Sequence, residues 1–446
     1  MLMLLRPGAA ERYGENMEHN NSQVTSYDTS AIQKENRQSW VKILSIWMGL
    51  IFSTATMLYG GVLGTFLDLG HALLAIVCGT AILALLSILI SNIGADTGLS
   101  CYELMKYFLG NTGGRIVSVM FISVMLGWSG IGVIVVVEMM ALYIPFFATP
   151  LGFALGGIGL NIIFVGTVWS SFKGLSFFSR LAVPIITVVF VIAFVRTGQV
   201  YGLAPLFEKV PVNPHSFPYV VSGVVACWIN APLQAPDISR FSRSRRDTLV
   251  ATILAFVGGA TLVYGIGAVT GVATGVDNIP GIFDKLGIAS LAVVLILLLT
   301  WTSSAESLYS SSLAFASVLP IKRKELLLGL SFVITTTFTM IDLYAYFTQW
   351  VDVTGLFFCP IIGLFLTDYY CFRKKYTLPA SEIPAAISIP SIIAVAIGIA
   401  TNLAIADYGL FVSIFTTSGS YFVLNKYAFA DKTLQAAEAA ANAARE

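Results

Sequence analysis

The sequence predicts an all-α integral membrane protein with about twelve transmembrane helices, and three observations support this fold class. The 446 residues are 57% hydrophobic and only 11% charged, whereas soluble domains carry about 25% charged residues. The apolar residues come in repeated runs of about 20, the length that crosses the hydrocarbon core of a bilayer. Two of these runs contain residues that interrupt a helix. A membrane barrel is not expected, because its alternating hydropathy pattern is absent.

Hydropathy divides the chain into a membrane domain and two tails. Residues 1–40 are polar and are interpreted as a cytoplasmic N-terminal tail, residues 41–426 as the transmembrane domain, and residues 427–446 as a cytoplasmic C-terminal tail. A signal peptide is not expected, because the apolar run Met1–Leu5 is too short. The predicted spans cover residues 43–66, 71–92, 115–143, 151–170, 178–197, 217–235, 248–275, 287–319, 327–343, 346–370, 384–405 and 407–425.

The basic residues are sorted to one side of the predicted membrane. With the N-terminus placed inside, nineteen Lys and Arg residues fall in the alternate segments on that side, and only Arg196, Lys209 and Lys285 fall on the other. Because cytoplasmic loops carry an excess of Lys and Arg, both termini are expected in the cytoplasm of a cell inner-membrane protein. The net charge of +1 gives no reason to expect a nucleic-acid partner.

The first and sixth predicted spans contain residues that disfavour a continuous helix. In the first span, Ser53–Thr56 is followed by Gly60, Gly61 and Gly64. In the sixth, the polar stretch Asn230–Pro236 contains two prolines. Interruptions five helices apart predict a LeuT-type transporter with two inverted repeats of five helices, whose binding site lies at the breaks. The alternative is that Gly and Pro merely kink these helices, as is common in membranes.

Function classes other than a transporter have less support in the sequence. A channel needs a continuous polar lining or rings of charge, and the third and eighth spans offer too few such residues. The five cysteines are scattered without CxxC pairing, and the three histidines fall in predicted tails or loops. No metalloprotease or Walker-type nucleotide-binding motif is present. We therefore expect no enzymatic activity and no cofactor, with a sodium or proton gradient as the energy source.

Two motifs resemble signatures of the nucleobase-cation symporter family, which includes cytosine, hydantoin and allantoin transporters. Ala235–Phe241 is similar to the PDxxRF motif at the end of the family's sixth helix, and Gly363–Arg373 is similar to the ending of its tenth helix. A third match, Leu308–Ser310, follows a Ser/Thr run in the eighth span. The resemblance covers roughly residues 38–425 and implies uptake of a cytosine- or purine-like heterocycle by cation symport. The alternative cargo is a vitamin-precursor pyrimidine, a pyridoxine-like compound, hydantoin or allantoin.

The resemblance also implies which residues bind the solute. It places Trp128 and Trp228 where the family stacks aromatic rings on a planar heterocycle, a contact that contributes about 1–3 kcal/mol per base. Gly132 stands where several members have glutamine, so the sequence predicts a wider pocket that lacks this polar group. Asn230 and Gln234, in the sixth-span interruption, are expected to compensate. The alternative for each tryptophan is ordinary packing in a helix bundle.

A sodium site is implied between the first and eighth helices. Hard cations need oxygen ligands, which hydroxyl groups on one helix and free carbonyls at a helix break can supply together. The predicted ligands are Ala55, Thr302 and Ser303, and the alternative is a polar contact between helices. Met57 and Ser307 complete the predicted substrate-binding set.

Glu306 lies near the middle of the eighth span, where an unpaired charge is costly. The resembling permeases usually have asparagines in this neighbourhood, so the carboxylate is a departure from the family pattern. Two roles are open: it accepts hydrogen bonds from an amino-heterocycle, or it carries the coupling proton. A salt bridge is the structural alternative, although no Lys or Arg is predicted at this depth. Asp237 and Arg240, at the cytoplasmic end of the sixth span, are expected to form a cytoplasmic anchor and a gating contact.

Overall fold

In a computed structural model of the protein, most of the membrane domain can be described. The predicted terminal tails fall largely outside the described residues, so the domain boundaries at 40 and 427 stay predictions. The described residues are 31–168, 171–276, 278–319, 321, 323–372, 376, 383, 386–405 and 407–429.

The described part of the chain is helical, and a helix or a pair of helices covers each of the twelve predicted spans. Seven helices are long and apolar enough to cross a membrane, and the bent pair α1 and α2 adds an eighth span. The all-α membrane fold is thus confirmed. The helices are α1 (Trp40–Ile51), α2 (Thr54–Leu63), α3 (Leu69–Thr97), α4 (Cys101–Tyr143), α5 (Pro150–Val168), α6 (Ser171–Tyr201), α7 (Phe217–Cys227), α8 (Asn230–Ser239), α9 (Arg245–Ile253), α10 (Thr261–Thr274), α11 (Ile279–Lys285), α12 (Ala289–Val318), α13 (Lys324–Met340), α14 (Phe347–Cys371), α15 (Ile389–Ala404) and α16 (Gly409–Val423).

The first span is broken where the sequence predicts it. Helix α1 ends at Ile51, and α2 begins at Thr54 after a bend of 58°. Ser53 caps α2, because its hydroxyl oxygen accepts a hydrogen bond from the backbone N–H of Thr56 at 3.2 Å. This cap satisfies one of the N–H groups that every helix leaves unpaired at its start.

The sixth span is also broken, but two residues earlier than the predicted stretch. Helix α7 ends at Cys227, Trp228 and Ile229 form the break, and Asn230–Ser239 is itself a helix. Proline is tolerated in the first turn of a helix, because the N–H groups of that turn have no intrahelical acceptor. Pro232 therefore lies inside the start of α8, and the non-helical residues precede it.

The third predicted span begins earlier than hydropathy indicates. Helix α4 starts at Cys101, and its backbone is interrupted only at Gly110, which has φ 73° and ψ 167°. A side chain is disfavoured there, because L-residues rarely adopt positive φ. The segment that the sequence places in a cytoplasmic loop is therefore a short helix before the kink.

Helices α2 and α10 pack so closely that glycines of each helix contact the backbone of the other. A Cβ atom at Gly267 would lie 2.2 Å from the carbonyl oxygen of Met57, and one at Gly60 would lie 2.3 Å from that of Tyr264. Small residues four positions apart allow such close approach between membrane helices, and Gly60 and Gly64 form such a pair. The second half of the broken first span, α2, is thus held against α10.

Replacing Gly267 by Ala is expected to lower the Tm of the detergent-purified protein by several degrees. The added methyl group forces α2 and α10 apart, and overpacking of this kind costs about 1–3 kcal/mol. Gly265→Ala, in the same helix, is the control, because its Cβ would meet only Leu73 Cδ2 at 3.6 Å. Equal Tm values for the two variants would contradict the close packing.

Candidate functional site

A cavity lies where the two broken spans meet α4 and α12. Both helix breaks therefore contribute to one space, as the paired interruptions predict. The cavity is lined by Leu50, Ser53, Thr54, Ala55, Met125, Trp128, Ile131, Gly132, Cys227, Trp228, Asn230, Ser303 and Ser307.

Four residues predicted to bind the substrate or the cation do not line this cavity: Glu306, Gln234, Met57 and Thr302. Each is buried, with an exposed fraction of at most 1%. Met57 lies in α2 with its carbonyl oxygen against α10. Glu306, Gln234 and Thr302 lie behind the residues that form the cavity wall.

Trp228 connects the two helix breaks. Its indole N–H donates a hydrogen bond to the hydroxyl oxygen of Thr56 at 2.9 Å, and the Thr56 hydroxyl donates to the carbonyl oxygen of Ile51 at 3.0 Å. Ile51 is the last residue of α1, and its carbonyl oxygen also accepts a hydrogen bond from the backbone N–H of Ser53 at 2.8 Å. The position of the Trp228 ring in the cavity wall is thereby fixed by the first span.

Trp128 reaches the same cavity from α4. Its ring packs edge-on against Phe347, with centroids 5.8 Å apart and an interplanar angle of 79°. The buried indole nitrogen of Trp128 has no hydrogen-bond partner among the described residues. A buried N–H group of this kind costs free energy until a ligand or water accepts its proton.

Asn230, the first residue of α8, presents a matching acceptor. Its amide nitrogen lies 3.9 Å from Met125 Sδ, and its carbonyl oxygen has no hydrogen-bond partner among the described residues. The cavity wall thus holds an unpaired donor on Trp128 and an unpaired acceptor on Asn230. Such a pair suits a planar molecule whose edge carries both donors and acceptors.

The space beside Gly132 is partly occupied by Thr300. A Cβ atom at Gly132 would lie 2.9 Å from Thr300 Cγ2. The Thr300 hydroxyl shares a 2.9 Å hydrogen bond with Thr54 and lies 3.4 Å from the carbonyl oxygen of Gly132. Thr300 therefore occupies the space that a Cβ atom at Gly132 would take, and the effect of Gly132 on the width of the pocket stays a prediction. Sequence reasoning missed Thr54 and Thr300 as a contacting pair, since only packing brings their helices together.

Oxygen atoms gather where the sequence predicts a cation. The Thr302 hydroxyl donates to the carbonyl oxygen of Leu299 at 3.1 Å and lies 3.4 Å from that of Phe52, at the first-span break. Ser303 donates to Leu299 at 2.9 Å, and both Ser303 and Ala55 line the cavity. The hydroxyl groups are bonded to carbonyls of their own helix, and their role as cation ligands stays a prediction.

Glu306 lies behind the cavity wall because of its position on the helix. Ser303 and Ser307, one turn apart on α12, line the cavity, whereas Glu306 is rotated by about 100° from Ser307. Its Oε1 atom accepts a short hydrogen bond from the Gln234 amide and a second, at 3.1 Å, from the Ser310 hydroxyl. Among the described residues Glu306 forms no ion pair, so a salt bridge does not explain it.

Asp237 and Arg240 attach α8 to its neighbours. The Asp237 carboxylate accepts a 2.8 Å hydrogen bond from the backbone N–H of Cys101, at the N-terminus of α4, where a helix favours negative charge. The Arg240 guanidinium lies 3.5 Å from the Tyr309 hydroxyl and 4.9 Å from the centre of the Phe241 ring. These contacts are those of an anchor, and the gating role stays a prediction.

A helical membrane bundle with a cavity at two interrupted helices defines the class of LeuT-type transporters, and solved structures share this fold. Mhp1, a nucleobase-cation-symport-1 family transporter in a closed conformation with bromovinylhydantoin bound, has a TM-score of 0.78 at 17% identity, covering 92% of this chain and 98% of Mhp1. A Na⁺-coupled sialic acid symporter has a TM-score of 0.66 at 13% identity, covering 93% of this chain and 95% of the symporter. The chain therefore shares the fold of these multi-pass membrane proteins.

The chain belongs to the family of permeases for cytosine/purines, uracil, thiamine and allantoin, which matches residues 31–424. Cytosine permease of Escherichia coli (strain K12) is 28% identical over 388 residues, covering 85% of this chain and 90% of that protein. A putative allantoin permease from the same strain is 21% identical over 400 residues, covering 80% of this chain and 83% of that protein. The predicted family is confirmed, and its members are permeases and not enzymes.

Thr56→Val is expected to destabilise the protein by about 1–3 kcal/mol, because it leaves the Trp228 N–H buried without an acceptor. Thermal unfolding in detergent measures this change as a lower Tm. Thr56→Ser keeps the hydroxyl group and is expected to retain most of the stability. If the two variants had the same Tm, the hydrogen bond from Trp228 to Thr56 would not stabilise the structure.

Proposed function

We propose that the protein imports a nucleobase-like nitrogen heterocycle, of the cytosine or purine type, by cation symport and alternating access. The observation that carries this proposal is the cavity at the two helix breaks, with Trp128, Trp228 and Asn230 in its wall. Membership in a permease family for such compounds supports it, as does the similarity to cytosine permease. Hydantoin or allantoin is the alternative cargo, since Mhp1 holds bromovinylhydantoin and one relative is a putative allantoin permease.

The cavity wall supports a specific mode of binding. The indole rings of Trp128 and Trp228 offer apolar faces for stacking on a planar ring. The unpaired donor of Trp128 and the unpaired acceptor of Asn230 read the polar edge of the solute. Ser303 and Ser307 add hydroxyl groups, which both donate and accept hydrogen bonds.

Two arrangements support cation coupling, and each assigns it to different residues. Sodium coupling is supported by the oxygens around Thr302 and Ser303, which lie beside the first-span break. Proton coupling is supported by Glu306, whose Oε2 atom has no hydrogen-bond partner among the described residues. A carboxyl group buried without a counter-cation is stabilised when it is protonated. In the proton arrangement, Glu306 acts from behind the cavity through Gln234, and not by contact with the solute.

Uptake into proteoliposomes with imposed sodium or proton gradients tests the coupling. If Glu306 carries the proton, Glu306→Gln is expected to lose proton-driven accumulation of radiolabelled cytosine at least tenfold while retaining exchange at equilibrium. The amide is nearly isosteric with the carboxyl group but cannot release a proton. Glu138→Gln, which changes an exposed acid on α4, is the control.

The sodium arrangement predicts a different result from the same assay. Thr302→Val is expected to raise the sodium concentration for half-maximal uptake at least several-fold, and Glu306→Gln is expected to leave sodium-driven uptake intact. Uptake that responds to neither gradient would refute cation symport. If none of the nucleobases, hydantoins and allantoin competed for uptake, the proposed cargo would be refuted.

We further propose that the protein lies in the cell inner membrane with both termini in the cytoplasm. The distribution of Lys and Arg supports this orientation, which places Cys371, at the end of α14, on the cytoplasmic side. Cys371 is exposed, whereas Cys101, Cys227 and Cys359 are buried.

A membrane-impermeant maleimide is expected to label Cys371 only after intact cells are permeabilised. Val212, which is 78% exposed in the connection between α6 and α7, provides the opposite marker as Val212→Cys. This added thiol is expected to react in intact cells, measured in a Cys371→Ser background. Labelling of Cys371 in intact cells would reverse the orientation.

A further inference from the structure

A second cavity, of about 920 Å³, lies at the opposite end of the bundle from Cys371. Its wall comes from α2, α7, α14 and the connection between α15 and α16. The predicted orientation places this end outside the cell, so we call the space the outer cavity. Its lining includes Tyr59, Tyr219, Ser222, Asp352 and Asp407.

The outer cavity has an acidic wall. Asp352 and Asp407 contribute two carboxylates, and no Lys, Arg or His is found among its lining residues. Both carboxylates interact electrostatically with Tyr219, and Asp352 also interacts with Tyr59. The two acids and the two aromatic rings therefore surround the same space.

Asp407 is held in place by the neighbouring helix. Its Oδ2 atom accepts a hydrogen bond from the Ser216 hydroxyl at 2.6 Å, and its carbonyl oxygen accepts one from Ser222 at 2.8 Å. The backbone of Asp407 has φ 61°, a conformation that few residues other than glycine adopt. A carboxylate fixed in this way is oriented before any ligand binds, which lowers the entropy lost on binding.

Tyr59 provides the observation that points to a ligand. The residue is only 5% exposed and lines the outer cavity, yet its hydroxyl group makes no hydrogen bond with any described residue. The hydroxyl oxygen is not among the buried unpaired atoms of the described residues, so it is open to the outer cavity. A polar group that enters the cavity can therefore form a hydrogen bond with it.

The outer cavity is separated from the central one by a thin wall. Ala226 lines the outer cavity and Cys227 lines the central one, so the last turn of α7 divides them. The Phe347 ring lies between Tyr59 and Trp128, with centroid distances of 6.0 Å and 5.8 Å. A solute in the outer cavity is thus one aromatic side chain away from the ring that lines the central site.

We infer that the outer cavity is a recognition site for planar heterocycles that carry an amino group, occupied before the solute enters the central cavity. The carboxylates of Asp352 and Asp407 accept hydrogen bonds from exocyclic amino and ring N–H groups, as acidic residues do with the cytosine amino group. Tyr59 and Tyr219 supply aromatic surface and hydroxyl groups. This inference rests on the proposed function, because it assumes that the cargo is a heterocycle of this class.

Equilibrium binding of radiolabelled cytosine and adenine to the full-length detergent-purified protein tests the inference, with uracil as the probe that lacks an amino group. We expect cytosine and adenine to bind at two classes of site and uracil at one. Asp352→Asn is expected to weaken the second class at least tenfold, because a charged acceptor is replaced by a neutral one. Tyr59→Phe, which removes only the hydroxyl group, is expected to weaken it several-fold.

Two further variants locate each class of site. Trp228→Ala is expected to remove the central class and leave the outer one. Asp284→Asn removes an exposed carboxylate from α11, at the same end of the bundle but outside the cavity, and is expected to leave both classes unchanged. A Tm close to that of the unchanged protein shows that each variant is folded.

The outcomes separate this inference from the proposed function. A single class that Trp228→Ala removes and that Asp352→Asn and Tyr59→Phe leave unchanged would overturn the outer site alone. A single class lost in Asp352→Asn but retained in Trp228→Ala would support the outer site and contradict the central one. If Asp284→Asn weakened binding as much as Asp352→Asn does, general electrostatic attraction would explain the effect and the inference would be overturned. If cytosine, adenine and uracil all failed to bind, both the cargo and the outer site would be wrong.

Discussion

The hydrogen-bonding requirement of backbone inside a membrane governs this structure. An unpaired N–H or carbonyl group in hydrocarbon costs several kcal/mol, yet the first and sixth spans are both broken. Backbone turn bonds, such as that from the Trp228 backbone N–H to the Val225 carbonyl oxygen, meet the requirement at the sixth-span break, and side chains contribute at the first. Ser53 caps α2, and Thr56 pairs with the carbonyl of Ile51 while accepting the indole N–H of Trp228. The backbone can therefore leave the helical path without leaving its polar groups unpaired, and a polar cavity exists between apolar helices.

A buried polar network connects the wall of that cavity to α8, the second half of the sixth span. Glu306 and Ser310 of α12 both contact the Gln234 amide of α8, and Tyr102 of α4 donates to the carbonyl oxygen of Ser310 at 2.9 Å. Polar contacts of this kind fix one arrangement of helices, because breaking them exposes several unsatisfied groups together. A change of charge on Glu306 would alter the contact between α8 and α12.

The aromatic residues divide the solute path into two compartments. Trp128 and Trp228 belong to the central cavity, Tyr59 and Tyr219 to the outer one, and Phe347 lies between them. The two compartments differ in charge, since the carboxylates of the outer wall have no counterpart in the central lining. Under the proposed function, an acidic entrance followed by a neutral aromatic site favours solutes that donate hydrogen bonds at the entrance and stack at the centre.

The sequence by itself determined the membrane fold, the twelve helical segments, the broken spans and the family, because hydropathy, glycine and proline positions and local motifs are properties of consecutive residues. Only the tertiary structure decided which side of each helix faces which cavity. Glu306 is adjacent to Ser307 in sequence but points behind the wall, and Thr300 fills the space beside Gly132 from another helix. The outer cavity brings Tyr59 together with Asp352 and Asp407. Such contacts depend on the rotation and packing of helices distant in sequence, which no local pattern specifies.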